Sequence, residues 1–136
     1  MVNKLIGFTE IAHTADLALK VWAPDIAGLL KISARGMYAL MGVEFEPVEE
    51  DVRELLIAQD DLESMLVDYL NELLYYSEKG IACDLISCTV DGKGLFVRMN
   101  GFKLIKIARM IKAATFHGLE IQRTDLGLVT KIVFDV

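Results

Sequence analysis

Leu62, Met65, Leu66, Tyr69, Leu70, Leu73 and Leu74 fall at i, i+3 and i+4 spacing, which lines one side of a helix with a continuous apolar stripe. Such a stripe needs a sheet face to cover it, so the chain is expected to combine helices with a sheet. The start of this helix is signalled by Asp60-Asp61-Leu62-Glu63, which places an N-cap aspartate three residues before Glu63, the capping-box arrangement that satisfies free backbone amides. Its end is signalled by Lys79-Gly80, a basic residue and a glycine where a C-terminus favours them. An earlier helix is predicted after Pro24, with Asp25 as cap and Ile26, Leu29, Leu30, Met37, Leu40 and Met41 near helical spacing up to Gly42. Gly28 and Gly36 lie inside it at a cost of about 1 kcal/mol each relative to alanine. Either packing offsets that cost or the helix approaches the sheet closely there.

The remaining apolar segments read as strands. Residues 5–10 and 17–23 form two, the second alternating Leu17, Leu19 and Val21 against Ala18, Lys20 and Trp22. Residues 52–59 form a third, and 81–90 and 95–99 form a hairpin about Asp91-Gly92. Residues 102–110 suit a helical turn or a buried strand equally well. Further strands are read at 112–116, 119–123 and 128–135, the last two joined by a turn at Thr124-Asp125-Leu126-Gly127. The simplest arrangement is an α+β fold, a mixed or antiparallel sheet of about six or seven strands with two main helices packed on it. With 136 residues, 54% of them hydrophobic, and no internal repeat, one domain spanning 1–136 is expected.

Composition narrows the function classes. The chain carries 20 acidic and 14 basic residues, a formal charge of -6 that repels a polyanion and argues against stable direct nucleic-acid binding. The same charge favours encounter with a basic protein, although acidity is also the ordinary condition of a soluble protein. No apolar run reaches the ~18 residues of a membrane span, and the first residues lack a secretory pattern, so a cytoplasmic protein is expected. Cys83 and Cys88 have odd separation, which on one regular strand points them to opposite faces and leaves two reduced thiols.

No phosphate-binding glycine loop, paired Cys-x-x-Cys motif or nucleophile elbow is present. His13-Thr14-Ala15-Asp16 is the first dense polar cluster. It reads either as turn closure, with Thr14 and Asp16 bonding nearby amides, or as a site where Asp16 offers a hard oxygen to a cation. Asp135 shares a strand face with Val129, Lys131 and Val133, and stands beside Val136. This end is either a solvated tail or, if the last strand runs beside an N-terminal one, a place where Asp16, Asp135 and the oxygens of Val136 converge on calcium or magnesium. His117 precedes Gly118 in the Lys112 to Leu119 string and reads as structural or as a titrating group. Glu72 lies at the edge of the apolar stripe, facing a cleft or solvent.

Taken in order, His13-Thr14-Ala15-Asp16, Leu70-Asn71-Glu72-Leu73-Leu74-Tyr75, the Lys112 to Leu119 string and Phe134-Asp135-Val136 resemble the archease family across essentially the whole chain. The resemblance implies a non-enzymatic helper that activates an RtcB-type RNA ligase of tRNA splicing. Such helpers promote guanylylation and repeated turnover and can broaden the nucleoside triphosphates used. It further implies a divalent cation, generally calcium, on Asp16, Asp135 and Val136; His13, Glu72, Lys112 and His117 are candidates beside it for supporting or partner-contact residues. One departure is Phe116, where tyrosine is common before the histidine. Two rivals stand beside this reading: a small metal-dependent hydrolase using Asp16 and Asp135 with His13 or His117 as base, and a general chaperone or interaction module.

Overall fold

The computed structural model describes residues 5–11 and 16–136. Two helices alternate with eight strands among these residues. They run β1 (Gly7–Ile11), β2 (Leu17–Ala23), α1 (Ile26–Met41), β3 (Glu44–Ile57), α2 (Leu62–Glu78), β4 (Ile81–Asp91), β5 (Gly94–Lys106), β6 (Ala113–Thr115), β7 (Gln122–Thr124) and β8 (Gly127–Asp135). The α+β class is as expected, and every strand pair is antiparallel. The strands divide between two sheets, however. One has the order β1-β2-β8-β6 with β7 also on β8, and the other is β3-β5-β4.

The division follows from the helices. The buried set of α2 is wider than the stripe read from sequence, adding Val67 and Ser77, so one sheet face cannot cover it. Both helices touch strands of both sheets, and one apolar cluster joins Leu19, Met37, Leu70, Met99 and Phe134. Each sheet therefore needs only one apolar face. In β2 and β8, Leu19 and Val21 face Ile132 and Thr130 toward the helices, while Lys20 faces Lys131 on the outside.

Helix α1 starts where Asp25 Oδ1 accepts from the Gly28 amide at 2.8 Å and stops at Gly42, whose φ of 61° is left-handed. Arg109 reinforces that end by donating from Nε and Nη2 to the Leu40 carbonyl at 3.2 and 3.0 Å. At Gly36 the approach to the sheet is the controlling factor, since an added Cβ would lie 2.5 Å from Leu19 Cδ2 and 3.0 Å from Phe8 Cγ. The cap of α2 is Asp61 rather than Asp60: its Oδ2 accepts from the Ser64 amide at 2.9 Å. The helix starts at Leu62, so a cap reaching the third helical amide must come from the adjacent residue.

Three strand expectations change in detail. The segment at 102–110 is strand as far as Lys106, because Phe102 continues the ladder to Ala82. Strand β3 begins at Glu44, well before residue 52, through a stretch whose pairing shifts three times and which contains Pro47. A proline is tolerated there because β3 is an edge strand. The strand read at 119–123 is confined to Gln122–Thr124. In β4, a bulge between Leu85 and Ser87 resets the alternation. Cys83 then stands opposite Gly101 and Cys88 opposite Val97, so both thiols share a face instead of opposing ones. Both cysteines are free. Burial pushes the Cys83 thiol up to about 11 against the pull of Arg53, so it is protonated at neutral pH.

Two stability experiments follow from these contacts. Replacing Gly36 by alanine recovers helix propensity of about 1 kcal/mol but drives a methyl into Leu19, and overpacking costs about 1–3 kcal/mol. A lowered urea midpoint is expected, and an unchanged or raised one would contradict the close approach. The bond from Ser64 holds the Asp61 carboxyl below its ordinary range. A depressed folded value means that the stabilisation is complete above the unfolded pKa of about 3.9 and fades as pH falls through the folded one. The stability gap between wild type and Asp61→Ala should therefore narrow between pH 7 and pH 3 in urea titrations. A constant gap would refute the cap's role.

Candidate cation and partner-contact site

At one end of the five-stranded sheet, β2 begins and β8 finishes. Their last pair is Leu17 with Phe134, so Asp16, one residue before it on the chain, and Asp135, one residue after, stand at the same end of the ladder. On the other side of β8, Ala113 of β6 pairs with Asp135, and the Lys112 amide donates to the Asp135 carbonyl at 2.8 Å. The backbone of Asp135 is thus tied down while its side chain is exposed; Asp16 is half-buried and Val136 exposed. Asp16, Lys112, Asp135 and Val136 meet at this end. His13 lies outside the described residues.

The donors here are all hard oxygens, which fit calcium or magnesium and not a soft metal. Among the described residues, no three His, Cys, Asp or Glu side chains are placed so that together they could hold a metal ion. A cation between Asp16 and Asp135 would need the oxygens of Val136 and water to complete its shell.

Strand β6 is held by a residue that the sequence reading quoted without a role. Asn71, on α2, donates from Nδ2 to the Ala114 carbonyl at 3.2 Å and accepts at Oδ1 from the Ala114 amide at 2.8 Å. A side-chain amide mimics a strand neighbour in this way, fixing β6 to α2 while Thr115 Oγ1 donates to the Val133 carbonyl at 3.0 Å. The available signal was a polar residue set between Leu70 and Leu73 in an otherwise apolar arc.

The other two predicted contact residues sit apart. His117 is exposed after β6, beyond Thr115 and its partner Val133, so it lies along β8 from Asp135. Its amide donates to Thr115 Oγ1 at 3.3 Å. Glu72 is half-buried and does line a cleft, with Leu55, Ile57, Asp68 and Asn71, but neither Asp16 nor Asp135 belongs to that lining.

A roomier groove of about 490 Å³ runs between α1 and the three-stranded sheet, walled by Tyr38, Phe45 and Phe102. Arg35 and Asp84 form an ion pair at 3.3 Å on its lining. The Tyr38 hydroxyl accepts from the Cys83 amide at 2.9 Å, and burial raises its pKa far above the usual phenol range. None of these residues carried a sequence motif, because the groove is assembled from four separate elements.

The class defined so far is a small α+β protein whose two helices lie against two antiparallel sheets, with an acidic oxygen-rich end where β2 meets β8. The pattern describing the Archease protein family (MTH1598/TM1083) matches residues 8–136, and the chain belongs to that family. It is 28% identical to the "Protein archease" of Saccharolobus islandicus (strain M.14.25 / Kamchatka #1) over 138 residues, covering 96% of this chain and 99% of the relative. It is 27% identical to that of Methanosarcina mazei over 147 residues, covering 95% of each. The crystal structure of a Thermotoga maritima protein described as "an archease, possible chaperone" superposes with a TM-score of 0.67 at 28% identity, covering 94% of this chain and 96% of that one. The solution structure of Methanobacterium thermoautotrophicum protein 1598 gives 0.74 at 24% identity, covering 96% and 99%, a likeness of fold.

The bridging role of Asn71 has a direct test. Asn71→Ala leaves the Ala114 amide and carbonyl without their partner, at a cost of about 1–3 kcal/mol. Hydrogen exchange at Ala113–Thr115 should accelerate more than in α2 itself. Unchanged protection of β6 would show that its pairing with β8 suffices.

Proposed function

We propose that this chain is an accessory protein that activates an RtcB-type tRNA-splicing RNA ligase, promoting its guanylylation and repeated turnover and widening its use of nucleoside triphosphates. The catalytic chemistry belongs to the ligase. The observation that supports the reading is the register of β2 on β8, which puts Asp16 and Asp135 at one end of the same ladder in a chain of the archease family. A calcium ion held there would neutralise the two carboxylates and order the start of β2 against the end of β8. Asp16 and Asp135 would supply hard oxygens, Val136 would add its backbone oxygen, and the Lys112 amide fixes the Asp135 backbone. The surface so formed, with Lys112, is the contact offered to the ligase. Activation requires that this surface bind the guanylylation-competent state of the ligase more tightly than its other states, since equal affinity shifts nothing.

The excess of acidic residues supports docking on a basic, RNA-holding enzyme rather than on RNA itself. No described helix is long and apolar enough to cross a membrane. We place the protein in the cytoplasm with its ligase partner.

The test is a mixing experiment with limiting nucleotide. Adding this chain should raise the guanylylation rate and turnover of the ligase, and Asp16→Asn and Asp135→Asn should each lose most of that effect while keeping the wild-type circular dichroism spectrum. Calorimetric titration should show calcium affinity falling by about tenfold or more in each variant, the loss of a charged ligand to a hard cation. Equal ligase rates with and without the chain would sink the proposal.

A second reading has one observation in its favour. Val52, Leu56 and Phe96 share the outer face of the three-stranded sheet and are exposed, the kind of apolar surface on which a chaperone holds clients. Suppression of aggregation in proteins unrelated to the ligase, lost on Phe96→Ser, would favour it.

A further inference from the structure

We propose that the outer face of β2 and β8 binds the phosphate chain of a nucleoside triphosphate, between Lys20 and Lys131 and beside Trp22. The inference does not depend on the ligase reading.

Lys20 and Lys131 are cross-strand partners on the solvent side of the sheet. Directly opposed side chains have Cβ atoms about 4.5–5.5 Å apart, and like charges in that position destabilise a sheet. The chain has more than enough carboxylates to neutralise both. Yet among the described residues neither lysine forms an ion pair, including with Glu120, which lines the same groove. Acidic side chains are gathered elsewhere, with Glu44, Glu46, Glu49, Glu50, Asp51 and Glu54 all on β3, whereas β2 has none. Two ammonium groups set side by side on an anionic protein, unneutralised, are suited to a ligand of concentrated negative charge.

The surface around them is concave. One groove of about 310 Å³ holds Lys20 and Lys131 with Gly118 and Gln122, in the interval of β8 where β6 has ended and β7 has not begun. A second, of about 340 Å³, shares Lys20 and Val129 with it and is lined by Trp22. The indole packs on β1 at Gly7, where an added Cβ would meet Trp22 Cζ2 at 2.7 Å. The two grooves thus offer a cationic half for phosphates and an aromatic half for a base, and base stacking on such a ring contributes about 1–3 kcal/mol. This combination favours a nucleotide over an acidic peptide.

The lysine pair shares its sheet face with Asp16 and Asp135, because alternate residues point the same way and Ala18 and Val133 lie between. Lys131 and Asp135 are four residues apart on one strand, roughly 13 Å at the β rise of ~3.3 Å per residue. Binding at the lysines is therefore separable from any cation at the carboxylates.

Trp22 is the one tryptophan of the chain, so its fluorescence reports on this face. The full chain, kept in EDTA, would be titrated with ATP, GTP and inorganic triphosphate. Saturable quenching by the nucleotides is expected, with inorganic triphosphate displacing them. Lys20→Glu and Lys131→Glu should each weaken binding about tenfold or more, and raising salt from about 0.05 to 0.3 M should weaken it severalfold, as for a charge-driven contact. Asp16→Asn should leave the affinity in EDTA unchanged. Lys131→Gln should hold or raise the urea midpoint, since it removes a like-charge pair. The proposal is overturned by an absence of saturable binding, by charge-reversal variants within twofold of wild type, by an acidic peptide that binds as tightly as triphosphate, or by a Lys131→Gln protein less stable than wild type.

Discussion

The antiparallel ladder between β2 and β8 is the contact on which the remainder of the molecule depends. It closes residues 17–23 against 128–134, the longest separation in sequence that any pair of strands spans here. Its inner face supplies Leu19, Val21, Ile132 and Phe134, all essentially inaccessible, as the floor on which α1 rests. Its outer face alternates with that floor and carries Asp16, Lys20, Trp22, Lys131 and Asp135. One register thus decides both what is buried and which charges meet. A slip by a single residue would exchange the two faces entirely.

Around this ladder the helices act as a shared layer. Gly36 lets α1 settle onto Leu19 and Phe8, while α2, buried over a broad arc, meets the other sheet and reaches back through Asn71 to β6. Asn71 is therefore a structural tie between α2 and β6. The short strand that it holds pairs with Asp135 and would be marginal by itself, since three residues of ladder bury little. The end where β2 meets β8 is built on strands distant in sequence, with α2 as the brace.

Both helices were legible in the sequence because period, cap and stop signals agreed over four turns. Even so, the cap moved from Asp60 to Asp61, since two adjacent aspartates offer the same chemistry. Strand β3 was half-read: Glu44 to Asp51 is acidic and contains Pro47, the opposite of strand composition, and only pairing with β5 makes it a strand. The facing of the cysteines was misjudged because the bulge at Ile86 leaves no mark in an apolar run. The motifs singled out Asp16 and Asp135, but that both stand at one end of the same ladder follows only from the register of β2 on β8. The same holds for Lys20 and Lys131, which lie far apart in sequence and become neighbours only across the ladder.

Strand β3 also has a meaning for the molecule's life among its own copies. It is a rim strand, and a rim of fourteen residues is long enough to template pairing with another chain. Its pleat is interrupted three times, one position has no amide hydrogen to give, and its carboxylates repel the same segment of a second molecule. The very residues that disguise it as a loop are those that work against pairing edge to edge, so the irregularity works as insulation.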